Sequence, residues 1–264
     1  MDLSFILPNK KEVMVKEILY KDLRMLSLYR DSGMTGVIKF LESFILTKNL
    51  NIIEKLYAFF IIREKCIGEK IAVGSNKGNV NIDTLYIKNN IGLFDDINEV
   101  IEIENIKCTF NYPSRFNLGN TDFIFSLIES LEIDNDKIIL SNLNEEEYLE
   151  VISKLPESIY SHIESFVEKN KAHFDILILE AREKFNIEEI RVNLLSTSFP
   201  SFIIRMFDCI SDTTYREMIF LLAKRIPDVN FLSNCTYLEI EDYYKLYSDE
   251  TQKQNENLQK ENIS

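Results

Sequence analysis

The sequence predicts an α+β protein: an N-terminal hairpin and helices with a small, mostly antiparallel β block, followed by a mainly helical C-terminal half. Two patterns predict it. Apolar residues recur at helical spacing over residues 20–66 and 144–247, whereas residues 69–112 break into short runs bounded by turn formers. A third observation limits the alternatives. Glycine (7) and proline (5) are scarce in 264 residues, which excludes collagen-like, proline-rich and glycine-linker architectures.

Phe5-Ile6-Leu7 and the run around Val13 and Val15 read as two strands joined by a turn at Pro8-Asn9-Lys10. A helix follows in which Tyr20, Leu23 and Leu26 share a face. After Ser32-Gly33, the stripe Val37, Ile38, Leu41, Phe44 and Ile45 predicts a second helix. Asn51 is an N-cap candidate for a third, which runs to Cys66. Its apolar residues, among them Ile52, Leu56, Phe59, Phe60 and Ile62, exceed one face, so it should be buried on several sides. Strands are expected at 70–73, 80–87, 100–103 and 107–112, with Ser75-Asn76-Lys77-Gly78 as a hairpin turn and a bulge near Leu85.

Phe123, Leu127 and Ile128 predict a helix over 122–131. Asn144 precedes Glu145, Glu146 and Glu147. Its amide can cap a first turn, and the acids oppose the positive end of the helix dipole. Tyr148, Leu149 and Ile152 should then face the core. Pro156 suits the first position of the next helix, whose stripe is Ile159, Ile163, Phe166 and Val167. Short strands at 176–179 and 187–194 and helices at 199–210 and 213–226, stopped by Pro227, follow. Thr236-x-x-Glu239 is a capping box, with Cys235 and Ile240 placed as its hydrophobic staple.

The net charge of −13 repels phosphate backbones. The densest basic stretch, 9–21, interleaves Lys10, Lys11, Lys16 and Lys21 with Glu12 and Glu17, so no nucleic-acid partner is expected. The longest apolar run, 56–62, is far short of the ~20 residues a spanning helix needs, and Met1-Asp2-Leu3-Ser4 lacks a positive leader. We expect no membrane span and a soluble, intracellular protein. Cys66, Cys108, Cys209 and Cys235 form no CxxC and read as buried thiols, not as a disulfide or zinc set. His162 and His173 are the only histidines, and they stand too far apart to share a metal directly. Gly74 to Gly78 lacks the order of a phosphate loop and precedes a strand, so it reads as a hairpin tip. Asp134-Asn135-Asp136 begins like a calcium loop, but Ile139 occupies the sixth position, where glycine is needed; a surface turn is the reading. No catalytic residue, cofactor, metal or small-molecule substrate is assigned.

Three parts are expected: an α+β domain over 1–142, a mainly helical domain over 143–248, and a disordered or weakly helical tail over 249–264. In that tail Leu258 and Ile263 are the only apolar residues. Just before it, Ile240, Tyr243, Tyr244 and Tyr247 fall at i, i+3, i+4 and i+7 and so share a stripe. The stripe is either a helix packing its tyrosines on its own core or a partner-binding face, since tyrosine is enriched at interfaces. Its place at the end of the folded chain favours the second.

Several strings carry a family resemblance. They are Leu7-Pro8 before the second strand, Tyr20-Lys21-Asp22-Leu23 opening the first helix, and Ile62-Arg63-Glu64-Lys65-Cys66-Ile67-Gly68-Glu69 where the third helix exits into strands. Asn90-Ile91-Gly92, Phe110-Asn111-Tyr112-Pro113 and Thr236-x-x-Glu239 complete the set. Over most of residues 5–248 the chain resembles the baseplate hub assembly proteins of T4-type tailed bacteriophages. The resemblance implies a non-enzymatic protein, a hub subunit or hub assembly factor, with other phage tail or baseplate hub proteins as partners. It implies the host cell cytoplasm during assembly, and the virion tail baseplate, as its places. On the residues alone two other classes stay open. One is a hydrolase or transferase with an unrecognised active site, which needs His162 or His173 in a deep pocket beside a perturbed carboxylate. The other is a nucleic-acid module, which needs a clustered Lys/Arg face.

Overall fold

Val13 and Val15 are fully buried while Met14 between them faces out, and this alternation starts the chain as a sheet. The computed structural model describes residues 2–29, 33–75, 78–84, 88, 97–134, 136–179, 190–208 and 210–261. In it β1 (Asp2–Ile6) pairs antiparallel with β2 (Glu12–Lys16). Lys10 closes the turn at φ 68° and donates its N–H to Leu7 O at 2.8 Å. Helices α1 (Tyr20–Tyr29) and α2 (Met34–Glu42) follow. Phe44 and Ile45 leave the helical stripe assigned to them. Phe44 O accepts the Lys16 N–H at 2.7 Å and Ile45 bridges Val15, so the chain returns along the second edge of β2.

Helix α3 (Ile52–Cys66) is buried on several sides, as its composition requires. Asn51 and Glu54 close a capping box: each backbone N–H donates to the other's side chain at 2.9 Å. Glu54 is nearly wholly buried, and Lys11 and Asn9 reach its carboxylate from the first hairpin, each at 2.9 Å. A buried carboxylate needs such partners. At the other end Arg63, also buried, donates to the carbonyls of Met206 and Lys70. The N–H groups of Ile67 and Gly68 return to Arg63 O, and Gly68 at φ 129° turns the chain out of the helix.

β3 (Lys70–Ser75) and β4 (Gly78–Asp83) form a second antiparallel pair. Asn76 and Lys77 of the expected turn, and the expected bulge near Leu85, lie outside the described residues, as does Asn90-Ile91-Gly92. β5 (Glu99–Ile103), β6 (Ile106–Phe110), β7 (Ile128–Ile133) and β8 (Asp136–Ile139) make a four-stranded antiparallel sheet in chain order. This corrects the helix expected over 122–131: Thr121–Leu127 is a 3-10 helix, and a strand follows it. Phe123, Leu127 and Ile128 fit a helical face, but Phe110 pairs with Ile128 and Cys108 with Leu131, and both pairs are buried. Cross-strand burial outweighs the local period. Asp134 at φ 51° makes the exposed turn between β7 and β8.

A short 3-10 turn, Leu140–Asn142, leads to α4 (Glu145–Ser153), whose Asn144 cap is completed into a box by Glu147. Tyr148 and Ile152 face inward, but Leu149 is 45% exposed, one residue round the helix from the buried line. Pro156 sits in the turn before α5 (Ile159–Lys169), not at its first position. There follow α6 (Lys171–Phe174), the antiparallel pair β9 (Asp175–Leu179) and β10 (Ile190–Asn193), α7 (Phe199–Met206), α8 (Asp212–Ala223) and α9 (Val229–Ser233). The last helix, α10 (Tyr237–Glu261), runs through the stretch read as a disordered or weakly helical tail. Gln, Glu and Lys propagate a helix well, and one already nucleated at Tyr237 extends without a new nucleation cost.

The core runs through both halves of the chain. Ring pairs join residues before and after 142: Phe110 with Phe166 at 5.3 Å, Phe116 with Phe199 at 5.7 Å, and Phe59 with Phe207 at 5.8 Å. α1 packs on α8, and α2 on α7.

Candidate functional site

Thr236 caps α10. Its N–H donates to Glu239 Oε2 at 2.6 Å, and the Glu239 N–H donates to Thr236 Oγ1 at 3.3 Å. Cys235 and Ile240, the staple, are both buried. The Tyr20 N–H of α1 donates to Cys235 O at 2.7 Å. The Tyr20 ring stacks on Tyr215 of α8 at 4.8 Å and leans on Tyr237 at 6.2 Å, and the Tyr215 hydroxyl meets Ser233 Oγ at 2.9 Å. The root of α10 is therefore fixed to α1, α8 and α9.

From that root the four residues of the stripe separate. Ile240 is 0% exposed, which corrects the expectation that it shares an accessible face with the tyrosines: it holds the helix down. Tyr243 is half-buried, its ring 6.1 Å from that of Phe231 on α9. Tyr247 is half-buried too, with the Arg225 guanidinium 5.9 Å from its ring centre. Tyr244 is 42% exposed. A surface helix buries an arc, here centred near Ile240, with Tyr243 and Tyr247 on one flank and Tyr244 on the other. On the same three helices Phe220, Leu221, Val229, Phe231 and Leu246 are also exposed. Sequence reasoning missed these five, because nothing in a single apolar residue says which way its helix will face.

Cys66, Cys108 and Cys235 are free and buried, and burial pushes the Cys66 and Cys108 thiols up to about 11. Cys209 lies outside the described residues. His162 is exposed on α5 and His173 half-buried on α6, with the end of α5 at Asn170 between them. Among the described residues no group of three or more His, Cys, Asp or Glu is placed to hold a metal ion, and no helix is long and apolar enough to cross a membrane.

A cleft of about 710 Å³ opens between α2, the start of α3, the segment 113–123 and α4. Lys55 of α3 is bound within it to Glu42 at 2.8 Å and to Ser114 O at 2.8 Å. The Arg115 guanidinium lies 3.6 Å from the centre of the Tyr148 ring. Tyr148 is fully buried, its hydroxyl donates to Asp122 O at 3.2 Å, and burial holds its phenol well above the ordinary range. Lys39 and Lys48 also line the cleft, as do Asp122 and Glu145. Lys39, Lys48 and Arg115 form no ion pair with any described residue. A smaller hollow of about 230 Å³ adjoins it at Ser114, beside the Lys11–Glu54 pair. Neither histidine lines either hollow. The cleft left no mark in the sequence, since its cations are dispersed from residue 39 to 115 among acids.

Comparison with known proteins gives one positive result. The chain matches the family described as T4 bacteriophage base plate protein over residues 1–180. The matched segment contains both hollows and the Arg63 to Gly68 string, and it ends before the helix that carries Tyr244. No curated protein and no solved structure matches.

Proposed function

Because this chain belongs to the T4 bacteriophage base plate protein family, we propose that it serves the baseplate hub, as a hub subunit or as a factor that helps the hub assemble. On this reading it works by binding other tail proteins and not by catalysis, in the host cytoplasm while tails are built. The observation that carries the proposal is the family match over two thirds of the chain.

The face formed by α8, α9 and α10 supports the contact role. Tyr244 projects from a helix whose root is locked by Ile240, and Tyr243 and Tyr247 flank it. A tyrosine ring offers large contact area at little cost in rotamer entropy, and its hydroxyl tolerates water when unbound. This face lies outside the segment that the family match covers, residues 1–180.

Deleting the gene from the phage, with mass spectrometry of purified particles and infected-cell lysate, tests the proposal. Loss of complete hubs is expected. The chain inside particles marks a subunit, and the chain in lysate alone marks an assembly factor. Normal hubs and normal infectivity after deletion would refute both.

A further inference from the structure

The cleft at α2 and α3 has the build of a second contact site, distinct from the tyrosine face. We infer that it receives a short, extended, acidic segment of a partner protein.

Charge is the first argument. The chain as a whole carries −13, yet this cleft gathers four cations against three acids, Glu42, Asp122 and Glu145, and of the cations only Lys55 is paired within it, with Glu42. Lys39, Lys48 and Arg115 stand without an ion pair to any described residue. The second argument is preorganisation. The Arg115 guanidinium is held 3.6 Å over the centre of the buried Tyr148 ring, a contact that restrains it before any ligand arrives. The third is the mixed lining. Ile38, Ile45 and Phe116 line the cleft together with the cations, so an extended segment carrying both acidic and apolar side chains finds both kinds of contact there. The acids Asp122 and Glu145 come from the α4 side, and Lys39 and Lys48 from α2 and the loop after it, so the cleft is polarised and selects a direction of approach.

A nucleic acid fits less well. A long polyanion meets the repulsion of the whole acidic surface, and Asp122 and Glu145 besides, whereas a short segment meets only the local field. The inference deepens the protein-contact reading and does not depend on placement at the hub. It is read on purified protein and hub membership is read on phage particles, so either can fail alone.

The test is fluorescence anisotropy with a dye-labelled octapeptide of alternating Glu and Leu, acetylated and amidated. A Lys-Leu octapeptide and an eight-nucleotide oligothymidylate are the controls. The Glu-Leu peptide is expected to bind in proportion to low ionic strength, and the controls are expected not to. The Lys39→Glu, Lys48→Glu double variant alters two exposed side chains, keeps the wild-type melting curve, and should weaken binding by roughly tenfold or more. Arg115→Gln should do the same. Failure of the Glu-Leu peptide to bind, equal affinity for the double variant, or equal binding of the oligothymidylate overturns the inference, the last by making the cleft a nucleic-acid site.

Discussion

Arg63→Met removes the guanidinium and keeps an apolar stem of similar length inside the fold, so its effect includes the loss of the two hydrogen bonds that tie α3 to α7 and β3. The Met206 carbonyl is buried, and losing its donor costs about 1–3 kcal/mol. The bond to the Lys70 carbonyl is only partly buried; that oxygen finds water, and its loss costs about 0.5–1 kcal/mol. The sum is near 3 kcal/mol, and for a chain of this size each kcal/mol moves the melting temperature by roughly 2–4 °C. A fall of about 6–12 °C is therefore expected. Arg63→Lys, which reaches one carbonyl but not both, should fall between. Lys65→Met on the same helix is the control: Lys65 is exposed, and its replacement should stay within about 0.5 kcal/mol. Urea denaturation followed by circular dichroism, with thermal melts alongside, measures all three. Equal midpoints for Arg63→Met, Lys65→Met and wild type would refute the idea that the Arg63 to Gly68 string serves to fasten the end of α3.

The stripe on α10 should divide under mutation: Ile240→Ala destabilises the fold by about 3 kcal/mol, whereas Tyr244→Ala leaves the melt nearly unchanged and lowers recovery of tail proteins on co-purification; the reverse result would make Tyr244 a core residue. Cys66 and Cys108 stand at about 11 against an ordinary 9, so the unfolded chain ionises its thiols first. Stability from this source is intact below pH 9 and is lost as pH rises from 9 to 11. In a Cys209→Ser, Cys235→Ser background, Ellman's reagent at pH 8 should therefore find no reactive thiol until the protein is unfolded. Truncation after Ser248 should shorten α10 and lower the helical signal at 222 nm while moving the melting temperature by under about 2 °C, because almost no apolar area is removed; a larger drop would show that the last turns dock.

Local signals were readable where the physics is local. Asn51, Asn144 and Thr236 each carry a glutamate three residues on and open helices: the box expected at Thr236 forms, and the caps expected at Asn51 and Asn144 are completed into boxes by Glu54 and Glu147. The surplus of apolar faces in α3 likewise announced its burial. Reading failed where partners distant in the chain decide. Ile128 and Leu131 suit a helix face as well as a strand, and only β6 beside them settles the matter. Leu149 and Ile240 show the same gap from the other side: periodicity locates a stripe, but which residue on its margin is covered depends on what the helix lies against. The cleft cations come from separate elements, so their convergence has no sequence signature at all.

The pairing of α1 with the last helices sets a clock on synthesis. Arg24 binds Asp212 at 2.6 Å across 188 residues, and Lys21 reaches Asn234 across 213. At roughly 5–20 residues per second, some 10–40 s pass between the ribosome releasing α1 and delivering its partners. Through that interval Tyr20 and Leu23, buried in the finished protein, have no C-terminal surface to cover them. A nascent chain of this design can pack its first helix on the second at once, but the flank that meets the last helices stays uncovered until translation is nearly complete.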